Sequence, residues 1–323
     1  GCTDVRTMDD GALTPRPDAG TEPDEPGAAW IRHMRRGDFA AAWAVSDAVL
    51  AARAGAQCGH LPRHEQALWD GTPLAGRRVL VHCYHGLGDT LQFARFLPRV
   101  RAIAAKLTVW TQPELLPLLS TLPDAGRLLP LHDGAPGVDR DVDVEIMELS
   151  HVLRVDPREL AACVPYLRAA PSPLPRDGRL AVGLVWRAGP WDHRRTVPFP
   201  LLAPLAEVPG VMLHLLQHDL APGERHAGLG RIGDTADPLR TAREMRALDL
   251  VVTVDSMPTH LAGALGVPVW TLLPAEADWR WMEGRDDSPW YPTMRLFRQE
   301  RPGEWAPIIA RVAGELAALS REK

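Results

Sequence analysis

Strands and helices alternate twice along this sequence, on either side of a proline-rich break, and this pattern predicts an α/β protein. We expect two Rossmann-like domains that face a cleft. The break is PSPLPRDG at residues 171–178, a composition typical of linkers. A length of 323 residues suits roughly two domains. We therefore predict an N-terminal domain over residues 71–172 and a C-terminal domain over residues 173–323.

Two sections precede these domains. Residues 1–27 are rich in proline, glycine and acidic side chains, which predicts a disordered tail. Residues 28–70 contain AAWIRHMRRGDFAAAWAVSDAVLAAR, a pattern similar to one helical hairpin of a tetratricopeptide repeat. Because a single repeat cannot bury its own apolar face, we expect the hairpin to pack on the next domain or on a protein partner.

The N-terminal domain begins with a predicted strand at residues 78–83 and one amphipathic helix at residues 89–105. The elements predicted after these are a strand at 107–111, a helix at 113–122 and a short strand at 128–131. The triplet Asp-Val-Asp at residues 141–143 lies in a segment with the composition of a charged loop. We expect this loop to lie far from the glycine motifs.

The C-terminal domain repeats the alternation. Its predicted strands are at residues 180–186, 211–217 and 294–298, and its predicted helices are at 201–207, 241–248 and 304–320. The last of these helices is amphipathic, and its apolar stripe is most simply core.

The segment LVVTVDSMPTHLAGALGVPVWTLL, at residues 250–273, predicts a strand, a sharp turn, a short helix and another strand. Asp255 and Ser256 come where the first strand ends, and His260 falls in the first turns of the helix. Ligands of open α/β sheets bind at this position, and a helix N-terminus there favours phosphate. The residues alone leave open a purely structural role, with Asp255 as a helix cap and His260 in the core.

The motif HGLGD lies between a predicted strand and a predicted helix. Gly86 and Gly88 permit a tight turn and close backbone approach to a ligand. A dinucleotide fingerprint would need a third glycine at position 91, which is Leu91. Asp89 is a candidate general base aimed at the cleft. Its alternative role is that of a helix N-cap.

Composition excludes several classes of function. The formal net charge of −5 provides no electrostatic footprint for nucleic acid or anionic membrane. No apolar run approaches the ~20 residues of a membrane span, and no signal peptide is recognisable. The four cysteines lack metal-site or disulfide spacing, so we expect free thiols. These observations predict a cytoplasmic protein without a membrane span, and they leave peripheral association open.

Six ordered motifs resemble the bacterial tetratricopeptide-repeat glycosyltransferases related to the heptosyltransferases, in glycosyltransferase family nine. The motifs are HGLGDTLQFARFLP (85–98), VPYL (164–167), VGLVWRAG (182–189), RRTVP (194–198), DLVVTVDSMPTHLAGALGVPVWTLLP (249–274) and DWRWMEGRDDSPWYPTMRLFRQ (278–299). The resemblance implies a GT-B fold and inverting sugar transfer without metal or cofactor. It implies a nucleotide-sugar donor in the second domain and a glycan, protein or small-molecule acceptor. It also implies that the final helix packs back on the first domain.

The resemblance also implies functional roles for individual residues. Asp89 matches the family's catalytic aspartate, and Asp255 with Ser256 matches the pair that contacts donor sugar and phosphate. His260 matches the histidine of that helix, and Arg195 the basic residue near the donor phosphates. The chain departs from the family at Tyr84-His85, where relatives usually carry Gln or Glu.

Further candidates for the donor site lie in the second domain. Trp186 opens a glycine-containing loop with three arginines, and Gln217 ends a strand where it could meet the nucleotide base. Four aromatic residues could stack on a base or sugar, although domain-interface core is their commoner role: Trp279, Trp281, Trp290 and Tyr291. Two other functions stay open, a nucleotide-sugar epimerase or hydrolase and a catalytically inactive binding module.

Overall fold

The computed structural model describes residues 25–175 and 177–323, which form two parallel β-sheets with helices packed around them. The predicted α/β class and the two Rossmann-like sheets are confirmed. The predicted tail lies outside the described residues except for residues 25–27, and the first helix already begins at Pro26.

Two helices come first, α1 at Pro26–Arg35 and α2 at Phe39–Ala52. Asp38 caps α2 by accepting a hydrogen bond from the backbone N–H of residue 41. The indole of Trp43 donates to the carbonyl of Val155 in the first domain at 2.9 Å. Trp30 packs edge-on against Trp279 of the second domain. The two helices therefore bridge both domains.

The first sheet has the order β3-β2-β1-β4, with all strands parallel. Its strands are β1 Arg78–His82, β2 Lys106–Thr111, β3 Arg127–Pro130 and β4 Val142–Glu145. Strand β4 corrects the prediction of a charged loop at residues 141–143. Val142 and Val144 are buried, and the strand pairs with β1, directly beside the glycine motif.

The single helix predicted at residues 89–105 is also wrong, because the structure divides it. Helix α3 covers Leu87–Phe93, a 3-10 turn covers Ala94–Phe96, and α4 covers Leu97–Ile103. Pro98 explains the break, since proline donates no hydrogen bond and is tolerated only in a first helical turn. The two remaining helices of this domain are short, α5 Leu116–Leu119 and α6 Leu149–Val152.

The second sheet has the order β10-β9-β8-β5-β6-β7, again with parallel strands. Its strands are β5 Leu180–Val185, β6 Val211–Leu215, β7 Arg231–Ile232, β8 Leu250–Val254, β9 Val269–Leu273 and β10 Met294–Arg298. The chain leaves β5 towards one edge of the sheet and returns to its other side as β8. The neighbouring strands β5 and β8 thus mark the topological switch point, outside which such sheets bind ligands.

The helices of the second domain include a final long one. They are α7 Ala203–Ala206, α8 Pro222–His226, α9 Pro238–Ala247, α10 Met257–Ala264 and α11 Trp305–Arg321. The expectation that α11 packs back on the first domain is wrong. Its buried side chains, among them Ile309 and Val312, belong to the core on one face of the second sheet. The apolar face of α11 therefore packs on the strands of its own domain.

A second core cluster continues from the first domain into the other face of the second sheet. Trp281, Trp290 and Tyr291 are fully buried within it. Trp290 contacts Phe39 of α2 and Phe93 of α3. These aromatic rings are therefore interface core, the commoner of their two predicted roles.

The cysteines differ from expectation at one position. Cys83 and Cys163 are free thiols, whereas Cys58 is disulfide-bonded. Sequence spacing does not reveal which distant cysteines meet in space. Among residues 25–175 and 177–323, no helix combines the length and the apolar character that a membrane crossing requires.

Candidate functional site

The switch point of the second sheet brings Arg195 and Asp255 together. Asp255 directly follows β8, and Arg195 ends a 3-10 turn in the long loop after β5. The Nη1 of Arg195 donates to the backbone carbonyl of Asp255 at 2.8 Å and lies 3.8 Å from its carboxylate Oδ2. The guanidinium also stacks on the exposed ring of Trp191, with 3.7 Å between its carbon and the ring centroid.

The cation of Arg195 retains unused hydrogen-bonding capacity. Its side chain is only 10% exposed, and its Nε is buried without a hydrogen-bond partner among the described residues. The Asp192 Oδ2 lies 3.7 Å from this Nε, within ion-pair range but too far for a hydrogen bond. A buried donor without a partner is costly. An anion bound at this loop would satisfy the Nε and gain a charge-assisted hydrogen bond.

Asp255 has an unusual protonation equilibrium. Burial raises the pKa of Asp255 to about 6, and repulsion from the carboxylate of Asp278 adds to the rise. The positive charge of Arg195 acts in the opposite direction. The carboxylate therefore changes charge within the range in which enzymes work, as functional groups often do.

Helix α10 starts beside this pair. Ser256 is its extended N-cap residue, and the Ser256 hydroxyl donates to the carbonyl of Val254 at 3.3 Å. The first backbone N–H groups of a helix have no partner within the helix. The N-terminus of α10 thus presents donors at the carboxyl edge of β8.

His260 lies one turn further along α10 and is buried. Its Nδ1 is 3.0 Å from the hydroxyl of Tyr291, and its ring stacks on Trp281. Burial, then the positive charges of Arg280 and two further arginines, hold the pKa of His260 well below its ordinary value. The imidazole is therefore neutral at neutral pH.

The two domains touch where α3 meets α10. A Cβ on Gly88 would lie 2.9 Å from the His260 Cδ2 and 3.4 Å from the Met257 Cα. Glycine at position 88 is therefore required by the close approach of the helices. Gly86 is the N-cap of α3, so Asp89 is the third helical residue and not the N-cap.

Both carboxylate oxygens of Asp89 are engaged. The Oδ2 accepts a hydrogen bond from the backbone N–H of Gly86 at 3.0 Å, and the Oδ1 accepts one from the guanidinium of Arg280. Arg280 belongs to the second domain, so this ion pair crosses the cleft. The same guanidinium donates to Gln92 at 2.7 Å and to Asp278 at 2.9 Å.

Arg280 is the residue of this network that the sequence did not single out. It is buried; burial alone would lower the pKa of its guanidinium, but the carboxylates of Asp278 and Asp89 raise it. The signal in the sequence is its place between two tryptophans in the motif DWRW. That motif marks a packed aromatic segment, but it does not show that Arg280 reaches Asp89.

Trp186 and Gln217 lie at the base of the loop that follows β5. The Gln217 Oε1 accepts hydrogen bonds from the backbone N–H groups of Trp186, at 3.1 Å, and Arg187, at 2.9 Å. The ring of Trp186 is buried. Arg187 forms an ion pair with Glu224. These contacts fix the loop that carries Arg195.

The carboxyl edge of the first sheet holds a second polar cluster. The ring of His82 bridges Asp143, at 2.7 Å, and the hydroxyl of Tyr84, at 2.8 Å. The Nδ1 of His85 lies 2.8 Å from the Oε1 of Glu145. Both carboxylates come from β4, which sequence reasoning missed as a strand. The β1–β4 pair is the switch point of this sheet.

Comparisons with known proteins establish the fold. No family model matches the chain. The chain is similar to protein FlbA of Caulobacter vibrioides, 27% identical over 293 residues, with coverage of 77% of this chain and 48% of FlbA. It therefore spans about half the length of that curated relative.

Two solved structures resemble the chain. One is the glycosyl transferase family 9 protein of Veillonella parvula, with a TM-score of 0.52, 13% identity, and coverage of 78% of this chain and 99% of that chain. The other is the iron-containing dodecameric glycosyltransferase TibC of enterotoxigenic E. coli, with a TM-score of 0.51, 11% identity, and coverage of 78% and 77%. These likenesses show a GT-B fold.

Proposed function

We propose that this protein is a glycosyltransferase that moves a sugar from a nucleotide-sugar donor to a hydroxyl of a glycan, protein or small-molecule acceptor. One observation carries the proposal. The carboxyl edges of the two parallel sheets meet at the contact of α3 with α10, and each edge holds polar side chains. Two substrates held on opposite edges would therefore meet at this contact. The shared GT-B fold supports this interpretation.

The donor is proposed to lie on the second domain. Arg195 has a buried Nε without a hydrogen-bond acceptor among the described residues, with the Asp192 carboxylate 3.7 Å away, and it stands beside the N-terminus of α10. A guanidinium and helix N–H groups are the donors that phosphate groups prefer. Asp255, in its ionised form, would accept hydrogen bonds from sugar hydroxyls. Ser256 would add a hydroxyl, and neutral His260 lies at the contact with Gly88 of the first domain.

We propose that transfer inverts the anomeric centre and needs no metal ion or other cofactor. In such a reaction, the acceptor hydroxyl attacks the anomeric carbon from the face opposite the departing phosphate. The protein must then stabilise the negative charge that develops on the phosphate. We assign this task to the cation of Arg195 and the N–H groups of α10, which lie beside one another on the second domain.

Removal of the acceptor proton is proposed to occur on the first domain, in the loop between β1 and α3. The family resemblance nominates Asp89 for this step. The carboxylate of Asp89 stands at the contact between the domains, where it is held by Gly86 and Arg280. Asp89→Asn in a transfer assay tests this assignment, since general base catalysis contributes ~10²–10⁴-fold.

A screen of nucleotides and nucleotide sugars by thermal shift tests the proposed donor site. Ligands that bind only the native state raise the melting temperature in proportion to their occupancy. We expect at least one nucleotide sugar, and its nucleotide, to raise the melting temperature, while the free sugar does not. If no member of a panel that covers the common bases raises it, the proposal of a nucleotide-sugar site is wrong.

A further inference from the structure

The guanidinium of Arg280 is held at each of its three nitrogens. Its Nη2 donates to the Oδ1 of Asp89, its Nε donates to the amide oxygen of Gln92 at 2.7 Å, and its Nη1 donates to Asp278 at 2.9 Å. The guanidinium carbon also lies 4.6 Å from the ring centroid of Trp279, a cation–π distance. The position and the plane of this buried cation are therefore fixed by the fold.

Two of these acceptors lie on one face of α3. Asp89 and Gln92 are three residues apart, and side chains at this spacing are neighbours on a helix surface. One guanidinium from the second domain bonds to both of them. A lysine ammonium lacks the planar fork that such a contact requires. Arg280 thus fixes the orientation of the Asp89 carboxylate relative to the second domain.

The carboxylate of Asp89 has few other constraints. Its second hydrogen bond comes from the backbone of Gly86, in the same loop, so that bond gives no orientation relative to the second domain. Within residues 25–175 and 177–323, Arg280 is the one cationic side chain within ion-pair distance of Asp89. Removal of Arg280 would therefore leave the carboxylate attached to its own loop alone.

Asp89 retains acceptor capacity for a substrate. A carboxylate offers about four lone-pair sites, and the Gly86 N–H and Arg280 each use one of them. The side chain of Asp89 is 24% exposed. A substrate hydroxyl can therefore donate to Asp89 while Arg280 stays in place.

We propose that Arg280 is the positioning residue of the general base: from the donor-binding domain, it holds Asp89 in the orientation that receives the proton of the acceptor hydroxyl. The proposal rests on the glycosyltransferase function proposed above. As the acceptor oxygen bonds to the anomeric carbon, its proton passes to Asp89. The bond from that carbon to the phosphate oxygen breaks, and the electron pair leaves with the nucleotide. Arg280 exchanges no proton and acts through Asp89.

The variant Arg280→Met removes the charge and the three hydrogen bonds but keeps much of the side-chain volume. We expect kcat to fall by ~10²-fold, the typical cost of a misplaced reacting group, with the donor KM near wild type. Arg280→Lys keeps the charge and loses the fork, so its kcat should fall less. Melting temperatures identify the variants that fold, and activities are compared below the lowest of them.

The same substitutions in an Asp89→Asn background distinguish positioning from a structural role. The introduced amide keeps an oxygen that can accept from Arg280, but it cannot take the proton. If Arg280 acts through Asp89, its replacement should lower kcat little further in this background, because residues that act as a unit have non-additive effects. If Arg280 only holds the domains together, the two losses should multiply.

Arg295→Met is the control for the loss of an ion pair from the second domain. Arg295 pairs with Glu315 at 3.0 Å, and this pair joins β10 to α11. The pair does not involve α3. Arg295→Met should therefore transfer sugar at the normal rate, with or without Asp89→Asn.

The proposal is overturned if folded Arg280→Met has the wild-type kcat, or if its loss and that of Asp89→Asn multiply. Where Arg280→Met does not fold, Arg280→Lys is subject to the same two criteria. Normal turnover by Asp89→Asn also overturns the proposal, while the transferase function stands. A wild type that transfers no sugar from any donor instead contradicts the proposed function itself.

Discussion

Among the candidate donor-site residues, Asp255 and Arg195 have the most distinctive local chemistry. The sequence pattern placed Asp255 at a strand end, and the family resemblance nominated Arg195. The structure brings the two into contact over a separation of 60 residues. The pattern could not reveal how deeply Asp255 is buried or that Asp278 lies near it. Those features depend on the packing of the second domain, and they determine the charge of the site.

Replacing Arg195 with alanine should weaken donor binding. The guanidinium would contact the phosphate already in the ground state, and a charge-assisted hydrogen bond of this kind contributes on the order of 1.5–3 kcal/mol, or roughly 10–150-fold in affinity. Calorimetric titration with the nucleotide measures the effect. Arg240→Ala is a matched control, since that arginine is more than half exposed and pairs with Asp234. Equal affinities for both variants would exclude Arg195 from the donor site.

Asp255 should make stability depend on pH. Because the fold raises the pKa of Asp255 to about 6 from its ordinary value of 3.8, the native state binds more protons than the unfolded state between these values. The free energy of unfolding therefore falls as pH rises from about 4 to 6, and the penalty is complete above that range. Asp255→Asn removes the penalty.

We expect Asp255→Asn to gain stability relative to wild type as pH rises from 4 to 7, by on the order of 1–3 kcal/mol. Denaturant titrations at both pH values measure the difference. A gap between the two proteins that stays constant, or shrinks, would contradict the assigned burial of Asp255.

At the level of elements, the sequence predicted five of the six strands of the second sheet because mostly apolar runs mark them, and it missed the two-residue strand β7. Strand β4 was missed for a physical reason. It is only four residues long, and acidic side chains alternate with its valines. The buried position of Glu145 and the half-buried position of Asp143 beside β1 depend on their histidine partners, which are about 60 residues away in sequence.

The contact of α3 with α10 supports a second structural prediction. Gly88→Ala would place a Cβ 2.9 Å from the ring of His260, and the facing helix backbone leaves little room to relax. We expect a loss of ~1–3 kcal/mol in the free energy of unfolding, typical of overpacking. Denaturant titration measures the loss.

Gly314→Ala provides the control for that change. Gly314 lies in α11, and a Cβ there would meet nothing within 4 Å. This substitution should raise stability by about 0.5–1 kcal/mol through helix propensity. If both variants shift stability in the same direction, the steric account of Gly88 fails.

For the whole molecule, the sequence predicted two facing domains but not how they are held together. Arg280 ties α3 to the second domain, and helices α1 and α2 contact both domains. The ion pair of Arg280 with Asp89, for example, joins residues that are 191 positions apart. Local patterns carry no information about pairs at that separation, whereas they do report which strands are buried.

Metal independence is a property of the complete site. We propose that Arg195 and the N-terminus of α10 supply the positive charge that a metal ion would otherwise provide. Activity should therefore survive treatment with EDTA followed by gel filtration, with turnover within about twofold of the untreated enzyme. Strict dependence on added magnesium or manganese would contradict this mechanism.

The most direct test of the account follows nucleotide sugars by NMR in the presence of the protein and a panel of hydroxyl acceptors. The account predicts that one donor is consumed, that its nucleotide is released, and that the sugar appears on an acceptor with inverted anomeric configuration. Slow hydrolysis of the same donor, accelerated by the acceptor, should accompany transfer. Conversion of the donor to an epimer, or no consumption of any donor, would contradict the claim that this protein is a glycosyltransferase.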